Sequence, residues 1–502
     1  MGGDLSREGY TRMMRALEPE FIGKTYDDFL FRPQLGTLST RRKASLRTRL
    51  TTRLGLDLPV VSANMDSVTG ARMAMAMAHE GGLGFIHRAM TIAAQAERVA
   101  MVKRTQGHVV EQPWCLPRGS TIRDAREFTR KQHISGILIE EAPGSGILAG
   151  LLSRRDLPWG EGSEDRPVDE FMTPVERLVT GAPGITVDEA ERRMFAHRIE
   201  KLPLVDADRR IRGLITRKDV TLSRQRPYSS KDGKGRLLAG GAIGARGDFL
   251  ERAAELLRAG ADVLLMDVAH GHTHIMRGAV EAFRARFSEA ELICGNVATA
   301  EGAAYLRDLG ADGIKVGIGP GRGCRTRLET AAGVPQLQAI REAWCAVGED
   351  VPIIADGGIK DDKDIFLALL CGASSVMLGS MLSGTDEAPG HVIEDPRTGE
   401  KHKIYRGMTS PQAVLEALYD YDDERPEAAE AALDVPAEGQ EVQIPYKGSV
   451  LDILHRIRGH LRSAVSYAGG ESLDEVRAKI LADPLQYLIP LSAAARTESY
   501  DR

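Results

Sequence analysis

Short uninterrupted runs of apolar residues recur along the chain, and stretches with helical periodicity lie between them. The runs occupy residues 58–62, 82–87, 237–243, 262–267, 291–294, 313–317, 351–355 and 375–378. Continuous apolar runs of this length predict strands that are buried on both faces, as in a parallel sheet. Eight units of strand and helix predict an α/β protein built as a (β/α)8 TIM barrel. An open doubly wound sheet is the alternative arrangement.

The stretch between the second and third units is too long for a barrel loop and contains an internal repeat. Thr121-Ile-Arg-Asp-Ala125 matches Thr186-Val-Asp-Glu-Ala190, and Gly150-Leu-Leu-Ser-Arg-Arg-Asp-Leu157 matches Gly213-Leu-Ile-Thr-Arg-Lys-Asp-Val220. We therefore predict a catalytic barrel at residues 1–104 and 223–502, interrupted by a tandem domain pair at 105–222. A charged, alanine-rich stretch after the eighth strand predicts a flap at about residues 411–445.

Composition excludes several classes of protein. Of the 502 residues, 42% are hydrophobic and 27% are charged, which is ordinary for a globular protein. The formal net charge of −5 gives no basic field for nucleic acid. No apolar run is long enough for a membrane helix, and no signal peptide is evident. The five cysteines form no CxxC pair, which indicates a reducing compartment. We expect a cytoplasmic protein without a membrane or a specific nucleic-acid partner.

A glycine-rich loop directly follows the sixth predicted strand. It reads Gly317-Ile-Gly-Pro-Gly-Arg-Gly-Cys324-Arg-Thr326-Arg327. Glycines let backbone groups approach a ligand closely, and a loop at the carboxyl end of a barrel strand faces the substrate. The neighbouring Arg322, Arg325 and Arg327 favour the thiolate form of a cysteine. We therefore predict that Cys324 is a nucleophile, although a lone cysteine is more often a small core residue.

Two more loops predict a nucleotide ligand. Asp356-Gly357-Gly358 and Gly379-Ser380 follow the seventh and eighth strands, where barrels often bind phosphate through backbone N–H groups. A carboxylate beside such a pocket suits the hydroxyls of a ribose. The loop after the fourth strand, Asp267-Val-Ala-His270-Gly-His272-Thr-His274, resembles a metal site, but no further ligands complete it. We expect Asp267 to contact substrate or cofactor instead.

Six motifs together carry a resemblance to a known family. They are Gly317-Ile-Gly-Pro-Gly-x-x-Cys324-x-Thr326-Arg327, Ala355-Asp-Gly-Gly-Ile359, Val376-Met-x-Gly-Ser380, Tyr405-Arg-Gly-Met408, Pro445-Tyr-Lys-Gly448 and Ser62-Ala-Asn-Met-Asp66. They resemble the IMP dehydrogenase/GMP reductase family over about residues 25–491. The inserted repeat resembles a pair of CBS domains, which is the regulatory insert of IMP dehydrogenases.

The resemblance implies a role for each matched residue. Cys324 would form a covalent bond to C2 of the purine, with Thr326 and Glu438 as a proton relay. The substrate would contact Met65, Asp356, Gly357, Gly358, Gly379, Ser380, Tyr405, Gly407, Met408 and Thr409. A nicotinamide cofactor would contact Asp267, Val268, Ala269, Asn296, Gly317 and Gly319. Backbone carbonyls of Gly319, Gly321 and Cys324 resemble a site for K⁺. In the insert, Ser153, Asp156, Thr216 and Asp219 would bind a purine nucleotide such as ATP or GTP, although helix capping also explains them.

Details of the motifs favour one branch of the family. Dehydrogenases carry an Arg-Tyr pair on a flap, and here Arg425 is followed by Pro426, which has no phenolic oxygen. Asn64, Asp267-Val-Ala and the hydroxyl residue Thr409 resemble reductases, whereas the CBS pair, Tyr405-Arg406 and His270-Gly-His272 resemble dehydrogenases. Arg322 stands where the family has a phosphate-binding serine.

The resemblance therefore implies an NADPH-dependent GMP reductase that forms IMP and ammonia. An IMP dehydrogenase that uses NAD is the alternative, and a catalytically dead nucleotide sensor is a third hypothesis. The family also implies a homotetramer, which paired CBS domains could join into an octamer.

Overall fold

The computed structural model describes residues 15–105, 110, 113–132, 134–158, 162–410 and 438–500. Contacts divide the chain into two compact units. The barrel unit comprises Met1–Thr105, Tyr228–Asp232 and Leu237–Arg502, and the insert unit comprises Gln106–Pro227 and Gly233–Arg236. Most of the predicted flap, including Arg425 and Pro426, lies outside the described residues.

Eight parallel strands close into a barrel in chain order. We number them β1 to β8: Val60–Ser62, Leu83–Ile86, Gly240–Ile243, Val263–Asp267, Glu291–Val297, Gly313–Val316, Ile353–Asp356 and Ser375–Leu378. The last strand pairs with the first, Met377 opposite Val61. The predicted TIM barrel is confirmed, and the open sheet is wrong, because a closed barrel leaves no free edge.

A helix follows each barrel strand and covers it. The covering helices, α1 to α8, are Ala71–His79, Ile92–Thr105, Phe249–Arg258, His274–Arg286, Ala300–Asp308, Gln336–Val347, Asp362–Leu370 and Val450–Tyr467. The core consists mainly of the aliphatic residues of strands and helices, such as Leu265, Ile354 and Leu369, which are fully buried. Burial on both faces explains why the strands read as continuous apolar runs.

Hydroxyl and carboxylate residues end the loops that lead into several of these helices. The Thr273 side chain accepts from the backbone N–H of Met276, and Thr299 does the same for Gly302. Asp361 and Asp364 form a reciprocal capping box at the start of α7. Each cap fixes where a loop stops, so the loops at the carboxyl ends of the strands keep defined shapes.

Shorter elements of the barrel unit extend this frame. The remaining helices are Pro19–Phe21, Tyr26–Asp28, Arg41–Lys43, Thr326–Thr330, Leu473–Ala482, Pro484–Tyr487 and Ala493–Tyr500. The remaining strands are Phe29–Phe31, Thr48–Arg49, Gly55–Leu56, Ile393–Glu394, Lys401–Arg406, Glu441–Pro445 and Leu488–Pro490. Lys401–Arg406 pairs antiparallel with Glu441–Pro445, and this pairing bears on the site described below.

The insert unit contains the two sequence repeats. Its strands are Cys115–Pro117, Gly136–Glu140, Leu148–Ser153, Thr173–Pro174, Lys201–Val205 and Ile211–Thr216. Its helices are Ile122–Gln132, Val168–Glu170, Val175–Arg177, Val187–Ala196 and Arg217–Gln225. Each repeat places one helix before an antiparallel pair of strands. The helix Arg217–Gln225 is the last of these helices, and the unit comprises Gln106–Pro227 and Gly233–Arg236, compared with the predicted range 105–222.

None of the helices in the described part of the chain combines the length and apolar character that crossing a bilayer requires.

Candidate active site

One cavity of about 750 Å³ is lined by residues from the carboxyl ends of the barrel strands and from the loops that follow them. Every site residue that the sequence predicted in the barrel lines this cavity, from Met65 after β1 to Glu438 after β8. The volume suits a small-molecule ligand of nucleotide size. The closed barrel explains the gathering, because it turns all eight carboxyl ends toward one opening.

A hydrogen-bonded chain of side chains begins at the cysteine. The Cys324 Sγ and Thr326 Oγ1 atoms lie 3.2 Å apart, and the Thr326 hydroxyl donates to Glu438 Oε2 at 2.6 Å. Thiol, hydroxyl and carboxylate thus form a continuous path along which a proton can pass. Cys324 is half-buried and lines the cavity, so the thiol is accessible to a bound ligand.

Backbone pairing places Glu438 beside this loop. The Arg325 N–H donates to the Glu438 carbonyl at 2.7 Å, and the Gln440 N–H donates to the Gly323 carbonyl at 3.0 Å. Cys324 and Gly439 therefore form an antiparallel bridge. The two segments approach closely, since a Cβ on Gly323 would lie 3.0 Å from the Gly407 nitrogen, a tight contact with backbone. The contact joins segments more than one hundred residues apart, which no local sequence pattern could reveal.

The three arginines near Cys324 have different surroundings. Arg325 pairs with Glu329 at 2.7 Å, and Arg327 donates to the carbonyls of Ile318 and Val334. Of the three arginines, only Arg322 lines the cavity. The sequence predicted three cations around the thiol, and in the structure one of the three arginines lines the cavity.

A cationic end of the cavity lies at the loops after β7 and β8. Gly358, Gly379 and Ser380 line it together with Tyr405 and Lys447. The Lys447 ammonium donates to the carbonyl of Ser380 at 2.6 Å. Burial, followed by the nearby charges of Arg322 and Arg456, lowers the pKa of Lys447 to about 8. Sequence reasoning missed Lys447, although the residue lies inside the Pro445-Tyr-Lys-Gly448 motif.

Carboxylates and amides occupy another part of the cavity. The Asn296 amide donates to Asp356 Oδ2 at 2.9 Å and to the Gly317 carbonyl at 2.6 Å. Its own oxygen, Asn296 Oδ1, is buried without a hydrogen-bond partner among the described residues. The Asn64 amide donates to Asp267 Oδ2 at 2.9 Å. A ligand that donates an N–H to Asn296 would satisfy this buried oxygen.

A buried lysine joins the two carboxylates. The Lys315 Nζ atom lies 2.6 Å from Asp356 Oδ2 and 2.7 Å from Asp267 Oδ1. Burial opposes ionisation of Asp267, but attraction to Lys315 and hydrogen bonds outweigh it, so the pKa of Asp267 is lowered. Sequence reasoning missed Lys315, because a lone lysine within a buried strand gives no sign of its partners.

The histidines after β4 are not gathered around a common point in a metal-binding arrangement. His272 packs against Tyr305, with ring centroids 4.7 Å apart. In the described ranges, no group of three or more His, Cys, Asp or Glu side chains could hold a metal ion.

The predicted nucleotide residues of the insert unit form local hydrogen bonds within each repeat. The Thr216 N–H and hydroxyl both donate to Asp219 Oδ2, at 2.9 and 2.6 Å. In the other repeat, the Ser153 N–H donates to Asp156 Oδ2 at 2.8 Å. The bonds of Thr216 are those of a helix start, because the helix Arg217–Gln225 follows it, whereas Ser153 and Asp156 close a turn after the strand Leu148–Ser153.

The fold and the cavity define a TIM-barrel enzyme with a cysteine at the carboxyl end of the sixth strand. The profile described as "IMP dehydrogenase / GMP reductase domain" matches residues 23–500. The chain therefore belongs to the IMP dehydrogenase/GMP reductase family of oxidoreductases, which act in purine metabolism.

Sequence relatives and solved structures carry names from both branches of the family. The inosine-5'-monophosphate dehydrogenase of Nitrosopumilus maritimus is 43% identical over 91% of this chain and 94% of its own length. The enzyme of the same name from Aquifex aeolicus is also 43% identical, over 91% and 92%. A variant of the GMP reductase from Trypanosoma brucei, in complex with guanosine 5'-monophosphate, superposes with a TM-score of 0.81. It is 36% identical, over 95% of this chain and 97% of that one.

We predict that Cys324→Ala lowers kcat by at least about 1,000-fold, because Cys324 is the one cysteine among the described residues that line the cavity. Nucleotide affinity measured by calorimetry should change little, because the thiol contributes little to ground-state binding. Cys115→Ala is the matched control: Cys115 is also half-buried but belongs to the insert unit, and burial raises its pKa to about 11. Turnover retained by Cys324→Ala would contradict nucleophilic catalysis by this thiol.

Proposed function

We propose that this chain is a GMP reductase, which converts GMP and NADPH to IMP, ammonia and NADP⁺. The hydrogen-bonded chain from Cys324 through Thr326 to Glu438 carries this proposal. A reductase must protonate the amino group that leaves C2 beside the cysteine. The Thr326 hydroxyl lies 3.2 Å from the thiol and is placed to deliver that proton from Glu438. The absence of a tyrosine beside Arg425 supports the same choice, because the dehydrogenase pair that activates water is then incomplete.

The first half of the reaction removes ammonia. The Cys324 thiolate adds to C2 of the purine, and the C2–amino bond then breaks. Glu438 passes a proton through the Thr326 hydroxyl to the amino nitrogen, so that neutral ammonia leaves. Sulfur remains bound to C2. The Thr409 hydroxyl lines the same cavity and is suited to contact the guanine amino group.

The second half reduces the purine. A bound NADPH would supply a hydride to C2. The C2–sulfur bond would then break, so that Cys324 recovers its electron pair as IMP leaves. Asn296 Oδ1, unpartnered among the described residues, suits the carboxamide N–H of a nicotinamide. Asp267, Val268 and Ala269 line the cavity near Asn296 and would border the ring.

Ribose and phosphate would occupy the other polar groups of the cavity. Lys315 and Asn296 both donate to Asp356 Oδ2, whereas Asp356 Oδ1 has no hydrogen-bond partner among the described residues. A carboxylate oxygen so placed suits the ribose hydroxyls. The phosphate would lie at the cationic end of the cavity, against Gly358, Gly379, Ser380 and Tyr405. Arg322 replaces the family's serine there and adds a guanidinium group, which binds phosphate strongly.

A K⁺ ion remains part of the proposal. The carbonyls of Gly319, Gly321 and Cys324 would hold it. The Gly321 carbonyl already accepts from the Cys324 N–H at 3.0 Å, and its second lone pair could face an ion. Such an ion would stabilise the conformation of the cysteine loop.

IMP dehydrogenase activity is the second candidate, because the relatives of 43% identity carry that name. In that reaction NAD accepts hydride from C2 of IMP, and water then releases XMP. The thiol and the cavity would serve both reactions. The two candidates differ in whether ammonia is released or water is added beside Thr326 and Glu438.

We predict that the purified protein oxidises NADPH in the presence of GMP and forms no NADH from IMP and NAD. The reason is that Thr326 and Glu438 can protonate a leaving amine, whereas the tyrosine that activates water is missing. The absorbance of the reduced nicotinamide follows both reactions, and IMP and XMP are identified by chromatography. NADH formation from IMP, without NADPH oxidation by GMP, would contradict the reductase.

We also propose that the insert unit is a CBS pair that binds purine nucleotides such as ATP or GTP. The repeated helix and strand pair, with Thr216 and Asp219 at a helix start, supports this proposal. Oligomerisation into tetramers and octamers belongs to the same proposal.

Physiological concentrations of ATP or GTP should then change the rate of GMP turnover, because effector binding shifts conformational populations. Deleting the insert would remove a whole folded unit, so a point substitution is the better test. Asp219→Ala should abolish the response of GMP turnover to ATP and GTP while basal turnover persists. Turnover that stays constant across both nucleotides would contradict a regulatory role.

A further inference from the structure

Lys315 lies between two carboxylates, one of which would contact the proposed cofactor and the other the proposed substrate. Its side chain is 4% exposed, and its ammonium contacts Asp267 at 2.7 Å and Asp356 at 2.6 Å. The three residues come from three strands, β6, β4 and β7. Asp267 is the residue at the proposed nicotinamide end, and Asp356 is the residue at the proposed ribose end.

The strand register shows how the lysine reaches both partners. Asp267 lies opposite Gly295, and Gly295 lies opposite Lys315, so the three residues form a row across β4, β5 and β6. The middle position carries no side chain. A Cβ on Gly295 would lie 2.5 Å from the Cβ of Lys315. A glycine in the middle of a buried strand weakens it, and here its place in the row leaves the space that the lysine needs.

Charge explains why one cation between two anions matters. Two carboxylates around a shared cavity repel each other, and a single ammonium that contacts both holds them at a fixed separation. Burial opposes the charge on Lys315, but the two aspartates outweigh it, so the pKa of Lys315 is raised. Asn64 and Asn296 then fix the rotation of each carboxylate through a hydrogen bond of 2.9 Å.

We propose that Lys315 is a positioning residue that sets the geometry of the nucleotide and cofactor carboxylates together. This inference rests on the proposed function for the identity of the two ligands. Hydride transfer requires the purine C2 and the nicotinamide ring to meet at a defined distance and angle. The Lys315 ammonium on β6 contacts both carboxylates, so a displacement of Asp267 or Asp356 is coupled to the position of the other.

The barrel contains a second lysine in a comparable setting, which provides a matched control. Lys103 is 4% exposed and contacts Asp232 at 2.9 Å and Asp262 at 2.8 Å. It does not line the active-site cavity. Loss of Lys103 therefore imposes a similar cost on folding, because a buried pair of carboxylates loses its cation, without touching the ligands.

The test compares Lys315→Gln with Lys103→Gln in the full-length protein. We expect Lys315→Gln to raise KM for both GMP and NADPH by about tenfold or more, because both carboxylates lose their partner. Lys103→Gln should leave both KM values within about twofold, although thermal stability falls to a similar extent. A rise in only one KM would overturn the shared role, and so would no rise, or an equal rise in the control.

Gly295→Ala is the second variant. It tests the same proposal if Lys315→Gln does not fold. It keeps every charge, and its Cβ would lie 2.5 Å from the Cβ and 2.8 Å from the backbone oxygen of Lys315, so it displaces the lysine together with its segment of β6. The φ angle of Gly295 lies outside the left-handed region. We expect both KM values to rise again, and unchanged values would overturn the proposal. The wild-type assay tests the proposed function separately. If the wild type consumes IMP and NAD instead, the ratios of variant KM to wild-type KM measured with those substrates still decide the role of Lys315.

Discussion

The pairing of residues 438–440 with the cysteine loop is the contact on which the proposed chemistry depends. It brings Glu438 within 2.6 Å of Thr326, and Thr326 within 3.2 Å of the Cys324 thiol. Without it, Thr326 would lose the carboxylate to which its hydroxyl donates. The antiparallel pairing of Lys401–Arg406 with Glu441–Pro445 continues the same contact, so Tyr405 and Glu438 are brought to the cavity by one small sheet.

Charge is distributed unevenly around the cavity, and this distribution agrees with the proposed ligands. Cationic side chains, Arg322 and Lys447, line the end formed by the loops after β7 and β8. Carboxylates and amides line the part formed by β4, β5 and β7, where Lys315 balances Asp267 and Asp356. A phosphate suits the first region, and hydroxyl or amide donors suit the second. The barrel supplies rigid strand ends for both, so binding requires little rearrangement of the scaffold.

Sequence alone predicted the strands well, because burial on both faces leaves an apolar run that is visible locally. It also placed Cys324, Asp356 and Gly379 at strand ends, where a barrel brings them together. It could not predict Lys315 or Lys447, because a lysine's role depends on partners from distant strands. The bridge between Cys324 and Gly439 was equally invisible, although the resemblance to the family already connected Glu438 with Thr326. Pairings between distant segments are set by the folded topology and not by local pattern.

The fate of the guanine amino group tests the central claim most directly. GMP labelled with nitrogen-15 at the 2-amino group is incubated with NADPH and the protein, and the products are analysed by mass spectrometry. The account predicts one labelled ammonia released for each NADPH consumed, together with unlabelled IMP. No release of labelled ammonia from GMP, combined with conversion of IMP and NAD to XMP, would contradict it.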